Sequence, residues 1–507
     1  MKHRGATPSR GPRTSPGETD GPPTRTGLGC GRGLLVSLVY VALFVALVKP
    51  YTDYDWGWHY RYGEYLLKHG HPLRGDIFSW SMDGYQWVNH SWLFDPIVYL
   101  ISEGFSFTGL SVAGSLVAVL AFFVAIRHFR LSPWRQGLLA PCFYLLVENA
   151  VDQGLRTQVV GLLLFAMLIG LLVIVRSDAR WPLWAFPVLF LAWANLHGSF
   201  LLGLGVFGLF VGHEWLMTLL SRRPIRAPRL RPLVLSLVGS AAMTLINPFT
   251  YHIYLEAFRH FNNPLLPLVW EWTPAPAGSR LQVAFVVYTL VLSIGLAWRR
   301  RLEDVFFIVV SLLLLVMSLS ARRYIAVYAV ATLPLAARVL QDLPGWLETF
   351  RFSTALFLLA GAGAVGAGIH ELMPIDLFVR FDFEDYCHLG PRCSEQLTRL
   401  LLIHPPTGRG FNYYDWGGYL IGRGIGARLF VDGRMHLWER DGYRPYADFH
   451  RMYFLPDLKL FARYQFDWAI VETTSALEAA LETPTPQLRR WEKVYSDEQA
   501  TYFVRAR

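Results

Sequence analysis

The chain has 507 residues, of which 53% are hydrophobic and only 17% are charged, and its mean hydropathy is positive at +0.30. A soluble protein of this composition would expose long apolar runs to water, so the composition excludes an ordinary soluble protein. The net charge of +9 does not indicate a nucleic-acid partner, because the arginines lie in short clusters between apolar runs. The sequence therefore predicts an integral membrane protein.

Residues 1–32 are rich in Pro, Gly, Thr and Arg and have few large apolar side chains. Such a segment cannot bury enough surface to fold, so we predict a disordered cytoplasmic tail. No small-residue cleavage site follows the first apolar run, which indicates an uncleaved helix rather than a signal peptide. Apolar runs then recur at lengths that cross a bilayer as helix, and they predict about eleven spans within a transmembrane domain at 33–369. The spans fall near 34–48, 108–126, 137–151, 158–175, 182–196, 199–220, 233–249, 282–298, 304–320, 324–340 and 353–369.

Basic residues assign the two sides of the membrane. Alternate connections carry clusters of arginine on the same side as the basic tail, which the positive-inside rule places in the cytoplasm. These clusters are Arg127, Arg130 and Arg135; Arg176 and Arg180; Arg222, Arg223, Arg226, Arg229 and Arg231; and Arg299, Arg300 and Arg301. With eleven crossings, the first outer loop at 50–107 and the C-terminal region at 370–507 lie outside. We expect a multi-pass protein of the bacterial inner membrane.

Hydropathy falls after His370, and short β-prone runs then alternate with helix-like stretches. This alternation predicts a small extracytoplasmic α/β domain. The predicted strands are Ala427–Val431, Asp467–Val471, Trp491–Tyr495 and Thr501–Val504, and the helices are 394–403 and 457–464. Cys387 and Cys393 share a short polar stretch outside the cytoplasm, where a disulfide is permitted but not required.

The first outer loop combines five tryptophans with several carboxylates and histidines. Aromatic residues alone would be typical of membrane anchoring, but carboxylates at a bilayer edge are costly unless they are paired, hydrated or functional. An Asp there could accept a proton from an acceptor hydroxyl or amine, or hold a divalent metal against a phosphate. The acidic and histidine residues are Asp53, Asp55, His59, Glu64, Asp76, Asp83, His90 and Asp95.

The segment DYDWGWHYRYGEYLLKHGHPLRGD after the first span resembles the start of the GT-C superfamily of membrane glycosyltransferases. That superfamily includes protein O-mannosyltransferases, aminoarabinose transferases and RgtA/B/C/D-like bacterial proteins. The resemblance implies an acidic residue at Asp55, an amphipathic helix at 60–69 and a turn at Gly70. It also implies a polyprenyl-phosphate-linked sugar donor, an extracytoplasmic active site, and a catalytic role for the loop Asp. The Glu that follows this Asp in many members is absent here, so Asp53 stays an alternative to Asp55.

Three arginines stand on the outer side, against the positive-inside rule. Arg156 begins the fourth span, and Arg322 and Arg323 lie in a short outer connection. Guanidinium groups bind phosphate oxygens bidentately, so we expect a lipid phosphate here, although snorkelling to headgroups or pairing with Asp152 would also explain Arg156. Further candidates for substrate or phosphate binding are His59, Asp76, His90 and His197, each of which could instead be a packing or turn residue.

The resulting prediction is a GT-C-type glycosyltransferase that inverts the anomeric carbon, with Asp55 or Asp53 as the carboxylate that deprotonates or orients the acceptor. The acceptor would be a lipid-linked glycan, lipid A or a protein. Metal use stays open, because superfamily members differ and no ligand triad stands out in the sequence. Two alternatives of other classes are a transporter or flippase of a lipid-linked envelope precursor, and a non-catalytic scaffold for envelope assembly.

Overall fold

The computed structural model describes residues 26–177, 183–220, 227–299, 305–344, 383–483, 488 and 490–506. The span predicted near 353–369 lies outside the described residues, as do most of the predicted tail, residues 370–382, and Arg180, Arg222, Arg223, Arg226, Arg300 and Arg301. The first helix begins at Thr26, inside the segment predicted to be disordered.

Apolar helices occupy the places of the first ten predicted spans. Five of them are both long and apolar enough to cross a membrane: Asp95–Phe129, Thr157–Arg176, Phe200–Leu220, Arg280–Arg299 and Tyr324–Gln341. The protein is thus a polytopic helical membrane protein, and the count of eleven spans remains a prediction. Up to residue 344 the described helices are α1 Thr26–Leu47, α2 Trp56–His69, α3 Asp95–Ile126, α4 Pro133–Val151, α5 Thr157–Ser177, α6 Ala185–Leu196, α7 Phe200–Leu220, α8 Ala227–Met243, α9 His252–Phe261, α10 Arg280–Arg299, α11 Val305–Ser320 and α12 Tyr324–Gln341.

Helix α12 lies at the centre of the bundle. Every residue from 328 to 337 is buried, and four of these ten are alanines. Small side chains let neighbouring helices approach closely, which is the usual way for membrane helices to pack. Because Arg322 and Arg323 directly precede α12, its central position places both arginines at one end of the bundle, among the surrounding helices.

Helix α2 is the amphipathic helix that the sequence predicts, although it begins four residues earlier, at Trp56. It ends at Gly70, which adopts a left-handed conformation (φ 72°) and donates its N–H to the Leu66 carbonyl. Gly57 brings α2 against the C-terminal region, because a Cβ there would lie 1.8 Å from the Gly418 carbonyl oxygen. Only glycine permits that approach.

The described C-terminal region carries a four-stranded sheet in the order β1-β2-β4-β3, in which β1 and β2 are parallel and the other pairs antiparallel. Its strands are β1 Gly410–Asn412, β2 Trp468–Glu472, β3 Trp491–Ser496 and β4 Ala500–Arg505. Its helices are α13 Phe383–Leu389, α14 Glu395–Ile403, α15 Gly417–Arg423, α16 Pro445–Phe454, α17 Leu458–Tyr464 and α18 Ala476–Glu482.

Three of the four predicted strands coincide with β2, β3 and β4, but the strand predicted at Ala427–Val431 is wrong. That segment makes one isolated bridge, between Leu429 and Ser79. The side chain of Asn412 takes the place of a partner strand: its Oδ1 accepts from the N–H of Phe430 at 2.9 Å, and its Nδ2 donates to the Val431 carbonyl at 2.8 Å. The side chains of Leu429, Phe430 and Val431 are nonetheless buried, although the segment forms no continuous ladder of backbone hydrogen bonds with a described strand.

The first outer loop and the C-terminal region share one apolar core. Trp58 and Trp87 belong to the same buried cluster as Phe411 and Phe430. Several hydrogen bonds join the parts directly, among them those from Trp80 Nε1 to the Gly410 carbonyl at 3.0 Å and from the Tyr386 hydroxyl to the Asp53 carbonyl at 2.8 Å. The shared core fixes the loop that carries Asp55 against the C-terminal region.

Candidate active site

Two cavities meet at the outer end of the helix bundle. The first, here called the polar cavity, has about 770 Å³ and lies between the first outer loop, the loop at 262–279 and the C-terminal region. The second, the apolar cavity, has about 880 Å³ and runs between α4, α5, α7, α11 and α12. Residues that line both cavities mark their junction, among them His90, His197, His260, Glu271, Trp272 and Arg323.

Asp55 lies in the wall of the polar cavity, directly before α2. Its Oδ1 accepts a hydrogen bond from Trp58 Nε1 at 3.0 Å. Gly433 of the C-terminal region lies so close that a Cβ there would be 1.9 Å from this oxygen. Burial and the nearby charge of Asp53 raise the pKa of Asp55, Arg156 opposes both, and the resulting pKa is about 7. A carboxyl with this pKa can exchange a proton near neutral pH.

Asp53 has a different environment, which separates the two carboxylates that the sequence left as alternatives. Asp53 is only 1% exposed, and its Oδ1 lies 3.1 Å from Arg156 Nε. The other side of the Arg156 guanidinium binds Glu271, with 2.6 Å between Nη1 and Oε1. Burial would raise the pKa of Glu271, but Arg156 lowers it to about 2, so Glu271 is ionised. Asp53, Arg156 and Glu271 therefore form an ion-pair chain that ties the first outer loop to the loop at 262–279.

The two adjacent arginines differ in what they contact. Arg322 is buried and donates three hydrogen bonds to Thr273 and Pro274, and its guanidinium stacks on Trp270 at 3.5 Å. Arg323 stacks on Trp272 at 4.1 Å. Among the described residues, Arg323 has neither a hydrogen bond nor an ion pair, and it lines both cavities. Arg323 is thus the cation that the junction offers to an anionic ligand.

Four histidines surround this position in two pairs. The ring centroids of His90 and His197 are 6.4 Å apart, and those of His260 and His436 are 5.9 Å apart. Burial lowers the pKa of all four, and the charge of Arg323 lowers it further, to about 4 for His90 and about 3 for His260. Neutral imidazoles can hydrogen bond to an anion without adding charge. The sequence did not single out His260 or His436, which are far apart in the chain and stand in no recognisable motif.

The structure brings His59 to the polar cavity but keeps Asp76 away from both cavities. His59 Nδ1 lies 2.5 Å from Asp95 Oδ1. Asp76 is buried and accepts from the Ser79 N–H at 3.0 Å, and its Oδ1 lies 2.9 Å from Arg434 Nη2. The hydrogen bond within this turn and the ion pair with Arg434 together explain why Asp76 is buried away from both cavities.

The outer wall of the polar cavity comes from the C-terminal region. The segment YYDWGG contributes Tyr413, Tyr414 and Asp415 to this wall. Burial raises the pKa of Asp415 to about 6. Arg434, in the phrase DGR, forms a bidentate pair with Asp432 at 2.7 Å for both contacts.

The described residues contain no group of three or more His, Cys, Asp or Glu side chains placed to hold a metal ion. The two cysteines of the C-terminal region line neither cavity. Cys387 and Cys393 are joined by a disulfide in α13 and the turn that follows it.

Comparison with known sequences identifies no relative, since neither a family model nor a curated protein matches the chain. Comparison with solved structures finds proteins of similar fold. ArnT from Cupriavidus metallidurans, solved bound to undecaprenyl phosphate, is similar over 95% of this chain and 98% of its own, with a TM-score of 0.53 and 13% identity. AglB, the oligosaccharyltransferase of Archaeoglobus fulgidus, solved with an inhibitory peptide and a dolichol-phosphate, matches 87% of this chain and 69% of its own, with a TM-score of 0.52 and 10% identity. Both are GT-C glycosyltransferases.

The two neighbours differ in size, and both align with most of this chain. The similarity in fold is therefore not confined to a few helices. The resemblance noted in the first outer loop is confirmed at the level of fold: the chain has the fold of the GT-C membrane glycosyltransferases.

Proposed function

We propose that the protein transfers a sugar from a polyprenyl-phosphate donor to an acceptor on the extracytoplasmic side of the membrane. One observation carries the proposal: Asp55 and Arg323 line the same polar cavity, and that cavity meets an apolar cavity between the membrane helices. The polyprenyl chain would occupy the apolar cavity. Its phosphate would lie at the junction, against Arg323 and the neutral histidines.

Asp55 would act as the general base. Its carboxylate takes the proton from the acceptor hydroxyl or amine as the acceptor atom bonds to the anomeric carbon. The bond between that carbon and the phosphate oxygen breaks, and its electron pair leaves with the polyprenyl phosphate. Attack from the side opposite the phosphate inverts the anomeric carbon. A positioned general base contributes roughly 100- to 10,000-fold to such a rate.

The fold neighbours support the choice of donor. One was solved with undecaprenyl phosphate and the other with a dolichol-phosphate, and both ligands are phosphates on long isoprenoid chains. The shape and chemistry of the apolar cavity fit a chain of this kind. The acceptor is a lipid-linked glycan, lipid A or a protein; each would reach Asp55 through the mouth of the polar cavity.

The test is transfer of label from radiolabelled undecaprenyl-phosphate sugars to envelope material, by the purified protein in lipid nanodiscs. Asp55→Asn should lower the rate at least about 100-fold while leaving folding intact. Asp83→Asn is the matched control, because Asp83 lies in the same loop but is exposed and pairs only with exposed Arg428. Full transfer by the Asp55 variant would remove Asp55 from the role, and movement of the lipid without transfer would favour a flippase.

A further inference from the structure

Trp58, His59, Trp87, Arg434 and Trp438 line the polar cavity but not the apolar cavity. They therefore lie beyond the junction, on the side where a group attached to the lipid phosphate would project. Asp55 lies in the same wall. If the phosphate lies against Arg323, as the proposed function requires, the transferred sugar occupies the space beside these residues, here called the sugar chamber.

His59 is held rigidly in the wall of this chamber. Its Nδ1 lies 2.5 Å from Asp95 Oδ1, and Asn89 Nδ2 donates to the other oxygen of Asp95 at 2.6 Å. Gly63, one turn further along α2, makes this pairing possible, because a Cβ there would lie 2.3 Å from the Asp95 carbonyl oxygen. The close crossing of α2 and α3 thus places His59 on Asp95.

The other ring nitrogen, Nε2, is available. The indole of Trp58 covers one face of the imidazole, with 3.5 Å between ring centroids, and Phe94 approaches it edge to face at 5.1 Å. Within the described part of the chain, Nε2 has no hydrogen-bond partner, although the ring lines the chamber. A ring nitrogen that is free of protein partners in the wall of a cavity suits a polar group of a ligand.

The charges of the chamber disfavour a carboxylate on the ligand. Arg434 is already bound by two buried carboxylates, Asp432 and Asp76, although its Nη1 has no hydrogen-bond partner among the described residues. Arg156 is likewise bound by Asp53 and Glu271. Carboxylates thus outnumber the guanidinium groups, so neither arginine can neutralise an additional carboxylate on the sugar. The flanking indoles of Trp87 and Trp438 offer flat apolar surfaces, which suit the C–H faces of a sugar ring.

From this geometry we infer that His59 hydrogen bonds through Nε2 to a hydroxyl of a transferred sugar that carries no carboxylate, and that Asp95 positions His59 for this contact. The inference rests on the proposed function and adds the class of sugar and a residue that contacts it. His59 recognises the sugar, whereas Arg323 recognises the phosphate that the donor shares with the free carrier lipid. Recognition of the two parts of the donor is thus divided between different residues.

The experiment measures binding of five lipids to the full-length protein in nanodiscs: undecaprenyl phosphate alone, and undecaprenyl phosphate carrying glucose, mannose, galactose or glucuronate. The wild-type protein should bind at least one neutral hexose lipid more tightly than undecaprenyl phosphate, and the glucuronate lipid no more tightly. His59→Asn keeps an amide near the position of Nδ1, so it preserves the contact with Asp95, but it removes Nε2. We expect it to lose about 3- to 10-fold of affinity for the hexose lipid and none for undecaprenyl phosphate.

Tyr60→Phe is the matched control, because Tyr60 is the next residue of α2 and its hydroxyl binds exposed Glu103 rather than the chamber. Unchanged preference for the hexose lipid in His59→Asn would overturn the inference, as would equal wild-type affinity for all the lipids or a preference for glucuronate. Failure of undecaprenyl phosphate to bind, or binding that Arg323→Gln does not weaken, would contradict the proposed function instead. Asp95→Asn should weaken the hexose preference in the same direction as His59→Asn.

Discussion

Asp55 and Asp53 are two residues apart, yet their surroundings suit different tasks. Asp53 is tied to Arg156, whereas Asp55 has only the indole N–H of Trp58 as a side-chain partner and faces the polar cavity. Burial and the charge of Asp53 raise the pKa of Asp55 to about 7. The charge of Asp53 thus helps to raise the pKa of Asp55, the residue that we propose as the base.

This tuning predicts a pH dependence. The base must be ionised, and the ionised fraction falls as the pH drops through the raised pKa, so the transfer rate should fall about tenfold per pH unit below about pH 7. Asp53→Asn removes the negative charge that raises the pKa of Asp55, and it leaves Arg156 free to lower that pKa further. The acid limb of the pH–rate profile should therefore move to lower pH. A shift to higher pH in this variant would contradict the assignment of the base.

Arg322 and Arg323 should respond differently to the same substitution. Arg323→Gln removes a cation at the junction and should raise KM for the lipid donor, with little change in stability. Arg322→Gln removes three hydrogen bonds to the loop at Thr273–Pro274 and should lower the free energy of unfolding by about 1–3 kcal/mol. Thermal unfolding and donor titration separate the two effects. Arg259→Gln is the control, since Arg259 is exposed.

At the scale of elements, glycines set how closely α2 approaches its neighbours. Gly57 meets the Gly418 carbonyl oxygen of α15, and Gly63 meets the Asp95 carbonyl oxygen of α3. Gly57→Ala should force the two helices apart and lower stability by about 1–3 kcal/mol, with a loss of transfer because Asp55 lies at the same contact. Gly208→Ala in α7, where a Cβ would meet open space and which lines neither cavity, should have no such effect. If Gly57→Ala were as stable as the wild-type protein, α2 would be able to move away from α15 without lowering the free energy of unfolding, and the prediction would be wrong.

A buried ion-pair group joins the first outer loop to the C-terminal region. Arg434 binds Asp432 in its own segment and Asp76 in the loop, and all three side chains are at most 5% exposed. Removing one partner of a buried pair leaves an uncompensated charge. We therefore expect Arg434→Ala to lower the free energy of unfolding by about 3–5 kcal/mol, measured by denaturant titration. A loss below about 1 kcal/mol, the range of exposed pairs, would contradict this role.

At the scale of the whole molecule, the first outer loop belongs to the same apolar core as the C-terminal region. A fragment spanning 383–507 would expose the surfaces that Trp58, Trp80 and Trp87 cover in the intact chain. We expect this fragment to be proteolysed rapidly when expressed alone, whereas the same region of the full-length protein should resist limited proteolysis. A stable fragment with dispersed NMR signals would show that the region folds independently.

The sequence predicts those features that depend on local patterns. Apolar runs locate α1, the helices from α3 to α8 and those from α10 to α12, and short β-prone runs locate β2, β3 and β4. The family resemblance locates α2 and the turn at Gly70, whereas α9 was not predicted. The strand predicted at 427–431 is wrong because side-chain hydrogen bonds from Asn412 replace the partner strand, and no local pattern encodes that substitution.

The residues that line the polar cavity could not be grouped from local sequence patterns. Asp55, Arg323, His260 and His436 come from four distant parts of the chain and meet only through packing. The resemblance pointed to Asp55, and charge on the outer side pointed to Arg323. Nothing in the sequence indicated that Arg322 and Arg156 bind loop carbonyls and carboxylates.

The cation at the junction has a consequence for turnover. The phosphodiester of a glycosylated carrier has a single negative charge, whereas the monoester that remains after transfer gains a second one as the pH rises above about 6. In a buried setting, Arg323 would attract the doubly charged product more strongly than the donor. We expect the spent carrier to inhibit competitively and its departure to limit the steady-state rate, so that the enzyme works fastest where the membrane clears that lipid quickly.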